Sequence, residues 1–85
     1  MQVSKRTIRQ MKVQMKAYFP GEYALVVAEK LRQQGVPVTI QQIYNFFNNV
    51  PVKKRREILS AAMEVLTDAK ERNRQLEELL SETIE

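Results

Sequence analysis

The chain has 85 residues, a length typical of one domain with little room for an enclosed active site. It contains no Cys and no His, which excludes disulfides, iron-sulfur clusters and thiol catalysis and removes the commonest zinc ligand and general base. With 44% hydrophobic and 28% charged residues but only two Gly and three Pro, the composition is typical of a globular domain with few loops. We therefore expect an all-helical domain without a metal, a cofactor or a small-molecule ligand.

The formal net charge of +4 is unevenly distributed along the sequence. Residues 75–85 contain four Glu and no base, whereas residues 1–16 contain no acid and five bases: Lys5, Arg6, Arg9, Lys12 and Lys16. One end therefore suits a polyanion, with chance asymmetry as the alternative. No apolar run reaches the roughly 20 residues of a membrane span, and no pattern of a signal peptide is visible, so we expect a soluble, cytoplasmic protein.

Residues 4–19 fit two periodic patterns. Apolar residues at helical spacing are Ile8, Met11, Met15 and Tyr18. Residues that alternate as in a strand are Met11, Val13, Met15 and Ala17. We interpret the segment 1–19 as a basic N-terminal helix or arm.

The next two segments carry clear signals for the ends of helices. Residues 23–34 have an amphipathic pattern, and Gly35 stands where a left-handed C-terminal cap is expected. Thr39 and Gln42 form a capping-box pattern, which predicts that the next helix begins at Ile40. Asn48 or Asn49 can end that helix in a left-handed conformation.

The final segment, 53–82, has no Gly or Pro and is predicted to be one long helix with an acidic end. We expect its first half to pack through Ile58, Leu59, Ala62, Met63, Val65 and Leu66, and its second half to be solvated. The sequence thus predicts a small all-α domain of about four helices, spanning 1–85, with a long C-terminal helix.

The third predicted helix has an unusual polar side. At 100° per residue, Ile40, Ile43 and Phe47 share one side, and the opposite side contains only amides: Gln41, Gln42, Asn45, Asn48 and Asn49. A merely solvated side usually contains Lys and Glu, which favour helix more than Asn does. An amide presents a donor beside an acceptor, matching adenine N6 and N7 in the major groove. The alternative is a polar helix end with Asn48 and Asn49 as caps.

One segment resembles the helix-turn-helix of phage repressors and of bacterial repressors related to the lac type. The resemblance covers residues 24–49 and rests on Val27, Ala28, Leu31, Gly35, Val36, Thr39, Ile43 and the run Asn45-Phe46-Phe47-Asn48. It implies that 23–49 form a helix-turn-helix in which Ala28 lets the helices cross closely and Ile43 and Phe46 hold the second helix. The connection in 32–38 is about five residues longer than the tight motif. The DNA-facing residues that the resemblance implies are Thr39, Gln41, Gln42, Tyr44, Asn45 and Asn48.

A basic cluster follows the proposed recognition helix: Lys53, Lys54, Arg55 and Arg56. Positive charge at the start of a helix opposes the macrodipole and costs about 0.3–1 kcal/mol per charge. A bound phosphate would meet these side chains and the unpaired N–H groups of the helix start. We assign the cluster to phosphate contact, together with Lys5, Arg6 and Arg9 at the N-terminus. The alternative is a merely solvated basic turn or a run that resembles a nuclear-localisation signal.

A possible dimer contact lies on the last helix. Residues spaced alternately by three and four are Leu59, Ala62, Leu66, Ala69, Asn73, Leu76 and Leu80. Such a stripe is typical of a two-stranded coil, with Asn73 fixing the register and Leu66, Leu76 and Leu80 as apolar contacts. The alternative is that Leu59 to Leu66 complete the domain core.

The sequence therefore favours a sequence-specific regulator of transcription, of the phage or mobile-element type, that binds double-stranded DNA. A protein-interaction adaptor with incidental basic charge is the main alternative. RNA binding is less favoured because several of the six Phe and Tyr residues are assigned to the core. Membrane-surface binding by 4–19 would need a clearer apolar face, and no catalytic constellation appears.

Overall fold

The computed structural model describes the backbone of residues 4–84 and the side chains of residues 4–82. Within this range the chain forms four helices and no strand: α1 (Lys5–Tyr18), α2 (Tyr23–Gln33), α3 (Ile40–Phe47) and α4 (Arg55–Ile84). The predicted all-α class with a long C-terminal helix is confirmed. Residues 1–3 of the predicted N-terminal arm and Glu85 of the predicted acidic end lie outside the described residues.

The first segment is a helix, which decides between its two patterns. Ser4 caps α1, because its Oγ accepts a hydrogen bond from the Thr7 backbone N–H at 3.2 Å. Ile8 and Met15 are fully buried at a spacing of seven residues, whereas Val13 is 68% exposed. An alternating strand would have placed Val13 beside Met15 on the same side. The helical stripe therefore provides the buried face.

Left-handed residues end α2 and α3, as predicted. Gly35 has φ +77°, and the Val36 N–H bonds to the Leu31 carbonyl at 2.9 Å, as in a Schellman cap. Asn49 has φ +61°, and the N–H of Val50 bonds to the Asn45 carbonyl at 2.8 Å. At each of these caps the helix ends and the chain changes direction within two residues.

All four helices contribute to one core, and α2 lies in contact with each of the other three. The fully buried large side chains are Phe46, Phe47, Ile8, Met15, Leu31, Ile43, Ile58 and Val27. Ile43 and Phe46 are thus buried, as the helix-turn-helix interpretation expects. Ala28 is half-buried and packs against this core.

The core-facing stripe of α4 differs in part from the predicted one. Met63 is 54% exposed, so its predicted place in the core is wrong, and Leu59 is only half-buried. Ala61 and Ala69 are buried instead. The observed spacing obeys the helical period, with buried residues at Ile58, Ala61, Ala62, Val65, Leu66 and Ala69. Position on the helix, and not side-chain size, therefore decides which residues face α1 and α2.

The second half of α4 extends beyond the packed domain. Every described side chain of residues 70–82, here called the α4 extension, is exposed. The described molecule accordingly measures 51 × 28 × 25 Å. The predicted solvated second half of this helix is confirmed.

Candidate nucleic-acid interface

The start of α3 is fixed by two of its predicted base-contacting residues. The Thr39 Oγ1 accepts from the Gln42 N–H at 3.1 Å, and the Gln42 Oε1 accepts from the Thr39 N–H at 2.8 Å. This is the predicted capping box, and it satisfies two backbone donors that a helix start leaves unpaired. Thr39 and Gln42 therefore have a structural role in the free protein.

Gln41 and Asn45 lie one turn apart on the outer side of α3. The Gln41 Nε2 donates to the Asn45 Oδ1 at 2.9 Å. This bond leaves the carbonyl oxygen of Gln41 and the amide nitrogen of Asn45 for a ligand, so the pair presents one acceptor and one donor side by side. Gln41 is exposed and Asn45 is half-buried.

Tyr44 is an aromatic residue on the flank of this polar side. It is 37% exposed, and its ring meets the Tyr23 ring edge to face, with centroids 5.7 Å apart. Tyr23 in turn packs on Phe47 at 5.4 Å. Burial raises the pKa of the Tyr23 hydroxyl, and Tyr44 adds to the rise. The exposed surface of α3 therefore contains the anchored Tyr44 in addition to the amides.

A hydrogen bond links α1 to the end of α3. The Lys12 Nζ donates to the Asn48 Oδ1 at 2.6 Å across 36 positions of sequence. Asn48 is the C-cap residue of α3 and is exposed. This contact places the side of α1 that carries Lys12 beside the last turn of α3.

The basic residues on that side of α1 form a continuous row. At intervals of four, three and four residues, they are Lys5, Arg9, Lys12 and Lys16, here called the α1 basic stripe. Lys12 is half-buried and the other three are exposed, and no ion pair joins any of them to an acid of the described chain. Arg6 is about 120° around the helix from Lys12, so it lies apart from the stripe.

Lys12 and Lys16 were absent from the predicted site, although their spacing was visible in the sequence. This spacing joins Lys12 and Lys16 to Lys5 and Arg9 only if α1 is a helix. In a strand, Lys5 and Arg9 would lie on one side, and the other side would carry Arg6, Lys12 and Lys16. The structure thus joins four bases into one surface and separates Arg6 from it.

The second basic cluster begins α4 and is partly held by the fold. The Lys54 Nζ lies 3.4 Å from the Pro37 carbonyl oxygen, just before the α3 cap. The Arg55 guanidinium carbon lies 5.8 Å from the centre of the Phe46 ring, a cation–π distance. Lys53 and Arg56 are exposed. The Ile58 N–H bonds to the Lys54 carbonyl at 3.0 Å, so this cluster spans the turn and the first residues of α4.

These contacts bring basic groups to both ends of α3. Lys12 contacts Asn48 after the last turn, and Lys54 contacts Pro37 just before the Thr39 cap. The Gln41–Asn45 pair lies between these ends, on the same side of α3 as Asn48.

The structure divides the predicted dimer residues into two groups. Leu66 is 6% exposed and belongs to the core, so its predicted role in dimerisation is corrected. Asn73, Leu76 and Leu80 lie in the α4 extension and are exposed, and the Asn73 Nδ2 is 3.5 Å from the Glu77 Oε1. A stripe with alternate spacings of three and four looks the same in sequence whether the same chain or a partner covers it.

Neither a membrane span nor a metal site is found in the described part of the chain. No helix there has the length and apolarity that a membrane crossing needs. The described residues likewise contain no group of three or more acidic side chains that could hold a metal ion. Comparison with protein-family models, curated proteins and solved structures finds no match.

Proposed function

We propose that this protein binds double-stranded DNA in a sequence-specific manner and regulates transcription, with α3 as the recognition helix. The observation that carries the proposal is the hydrogen bond from Lys12 to Asn48, which holds the α1 basic stripe beside the amide side of α3. Specific DNA binding needs both kinds of group close together, because phosphate contacts set the position and base contacts set the specificity.

The base contacts are assigned to the outer side of α3. The major groove of B-DNA is about 12 Å wide and admits one helix. On that side, the Gln41 oxygen can accept from adenine N6 and the Asn45 nitrogen can donate to adenine N7. Asn48 contributes donor hydrogens, because its oxygen is already bound to Lys12. We therefore expect a binding site that contains adenine.

The phosphate contacts are assigned to the basic surfaces near the two ends of α3. The α1 basic stripe would meet one strand of the duplex, and the exposed Lys53 and Arg56 would meet the other. Because Lys54 and Arg55 contact Pro37 and Phe46, they support the turn in addition to adding positive charge. This arrangement has the electrostatic footprint that a polyanion requires.

The proposal is tested by selecting duplexes from a random library and measuring affinity for the selected site and a scrambled duplex. We expect Asn45→Ala to lower the preference for the selected site by roughly 5- to 150-fold, the loss of about 1–3 kcal/mol for a good amide–adenine contact. Gln33→Ala removes an exposed amide from α2 and serves as the matched control.

Two results would contradict the proposal. Equal binding of all duplexes that vanishes near physiological salt would indicate only the general attraction of a cationic protein, as an interaction adaptor would show. Clear selection of a site that is unaffected by Asn45→Ala would show that α3 does not contact the bases.

A further inference from the structure

The α4 extension carries an apolar row that no part of the described chain covers. Leu76 and Leu80 are 57% and 60% exposed. Leu76 and Leu80 lie within about 20° of Ala69 around the helix, so they continue the side of α4 that is buried in the domain. The core-facing stripe therefore extends beyond the domain by about three turns.

The charges of the extension are divided between its two halves. Residues 70–74 contain three bases and one acid, a formal charge of +2: Lys70, Arg72 and Arg74 against Glu71. Residues 75–82 contain three acids and no base, a formal charge of −3: Glu77, Glu78 and Glu82. Within the chain, Arg74 pairs with Glu71 and Glu78, both at 2.5 Å.

We propose that the α4 extension binds the α4 extension of a second copy of this chain, with the two helices antiparallel. Lys70 and Glu77 lie on the same flank of the Leu76–Leu80 row, and antiparallel pairing sets Lys70 of each helix beside Glu77 of the other. The apolar row of one copy then covers that of its partner. The inference goes beyond DNA binding and does not depend on it.

The packing of the domain also favours the antiparallel direction. From Ile58 to Ala69 the same side of α4 is covered by its own domain. Two parallel helices in contact along the extension would bring both domains to the same end of the pair. Each domain lies on the contact side of its own α4, so the two domains would compete for the space between the helices. Antiparallel helices place the two domains at opposite ends of the pair.

The proposed contact is small, so we expect the dimer to be weak. Standard stable interfaces involve about 20–30 residues on each side, and the extension has 13 residues, of which one side makes contact. The dimer should therefore form in the micromolar range or above, and its population should depend on protein concentration.

Sedimentation equilibrium without DNA, from about 10 μM to about 1 mM, tests the pairing. We expect the average mass to rise towards twice 10.0 kDa for the natural sequence. The double variant Leu76→Gln and Leu80→Gln should remain monomeric, while its helix content, followed by circular dichroism, stays unchanged. Leu25→Gln is the matched control, since Leu25 is 59% exposed on α2. A natural chain that stays monomeric, or a double variant that still dimerises, would overturn the proposal.

A distance measurement tests the direction of the pairing. The chain has no Cys, so Ser60→Cys provides one site for a spin label on an exposed position of α4. If the helices align at Leu76, each label lies 16 residues from the centre, and the rise of 1.5 Å per residue separates the labels by about 48 Å. Parallel helices would place the labels within roughly 20 Å. A short distance would refute the antiparallel arrangement, and the long distance supports it.

Discussion

The α1 basic stripe provides the sharpest quantitative test of the proposed DNA interface. Its four side chains can be replaced with Gln, which keeps a polar side chain and removes the charge. Three of the four are exposed and Lys12 is half-buried, so the fold should tolerate the changes. If the stripe contacts phosphates, the substitutions should lower the salt dependence of binding for every duplex sequence alike.

The expected magnitude follows from counterion release. Each phosphate neutralised by a base contributes about 0.9 to the slope of log affinity against log salt. Four contacts therefore contribute about 3.6. Between about 50 and 200 mM salt, a fourfold range, this amounts to roughly a 150-fold change in affinity. The variant with all four substitutions should lose that part of the salt dependence. Its affinity should fall furthest below that of the natural sequence at low salt.

Fluorescence anisotropy of a labelled duplex at several salt concentrations measures this slope. A pair of single variants provides the matched control on one helix. Arg9→Gln removes a member of the stripe and should lower the slope by about 0.9, whereas Arg6→Gln removes a base on another side of α1 and should leave it unchanged. If the two variants have the same slope, the stripe is not the phosphate-binding surface.

Two further predictions concern stability. Thr39→Ala removes the acceptor of the α3 capping box and should lower the free energy of unfolding by about 1 kcal/mol, or the Tm by about 4–8 °C. Thr39→Ser keeps the hydroxyl and should retain most of the stability. Thermal unfolding measures the effect, and an unchanged Tm for Thr39→Ala would contradict the role of the cap. The raised pKa of Tyr23 means that its stabilising effect is complete below the unfolded-chain pKa of about 10 and is lost as the pH rises through the folded-state pKa. Urea unfolding at about pH 8 and pH 11 should show a smaller alkaline loss of stability for Tyr23→Phe than for the natural sequence, and equal losses would show that Tyr23 is not responsible.

The ends of the helices could be predicted from the sequence because local chemistry determines them. The capping box at Thr39 and the left-handed residues Gly35 and Asn49 act through backbone groups a few residues away. The core of α4 was less accessible to sequence reasoning. A large apolar residue such as Met63 looks more like core than Ala61 does, although the helical period places the alanine inside.

The arrangement of the candidate interface depends on contacts that sequence reasoning could not supply. Lys12 and Asn48 are 36 positions apart, and nothing local to either residue specifies their hydrogen bond. Leu66 followed the correct periodicity, but periodicity does not tell whether the chain itself or a partner covers the stripe. Only the packing of α1 and α2 against α4 separates the core residues from the exposed Leu76 and Leu80.

The hydrogen bonds among the amides of α3 restrict how the helix can recognise a base. The Asn45 oxygen already accepts from Gln41, whereas the Gln41 oxygen is left for a ligand. We expect the two residues to recognise adenine together, with Gln41 supplying the acceptor and Asn45 the donor. Because they act as one unit, removal of either should cost nearly as much preference as removal of both. A double-mutant cycle of Gln41→Ala and Asn45→Ala, measured on the selected duplex, should therefore be strongly non-additive, and additive losses would indicate that each amide contacts a different base.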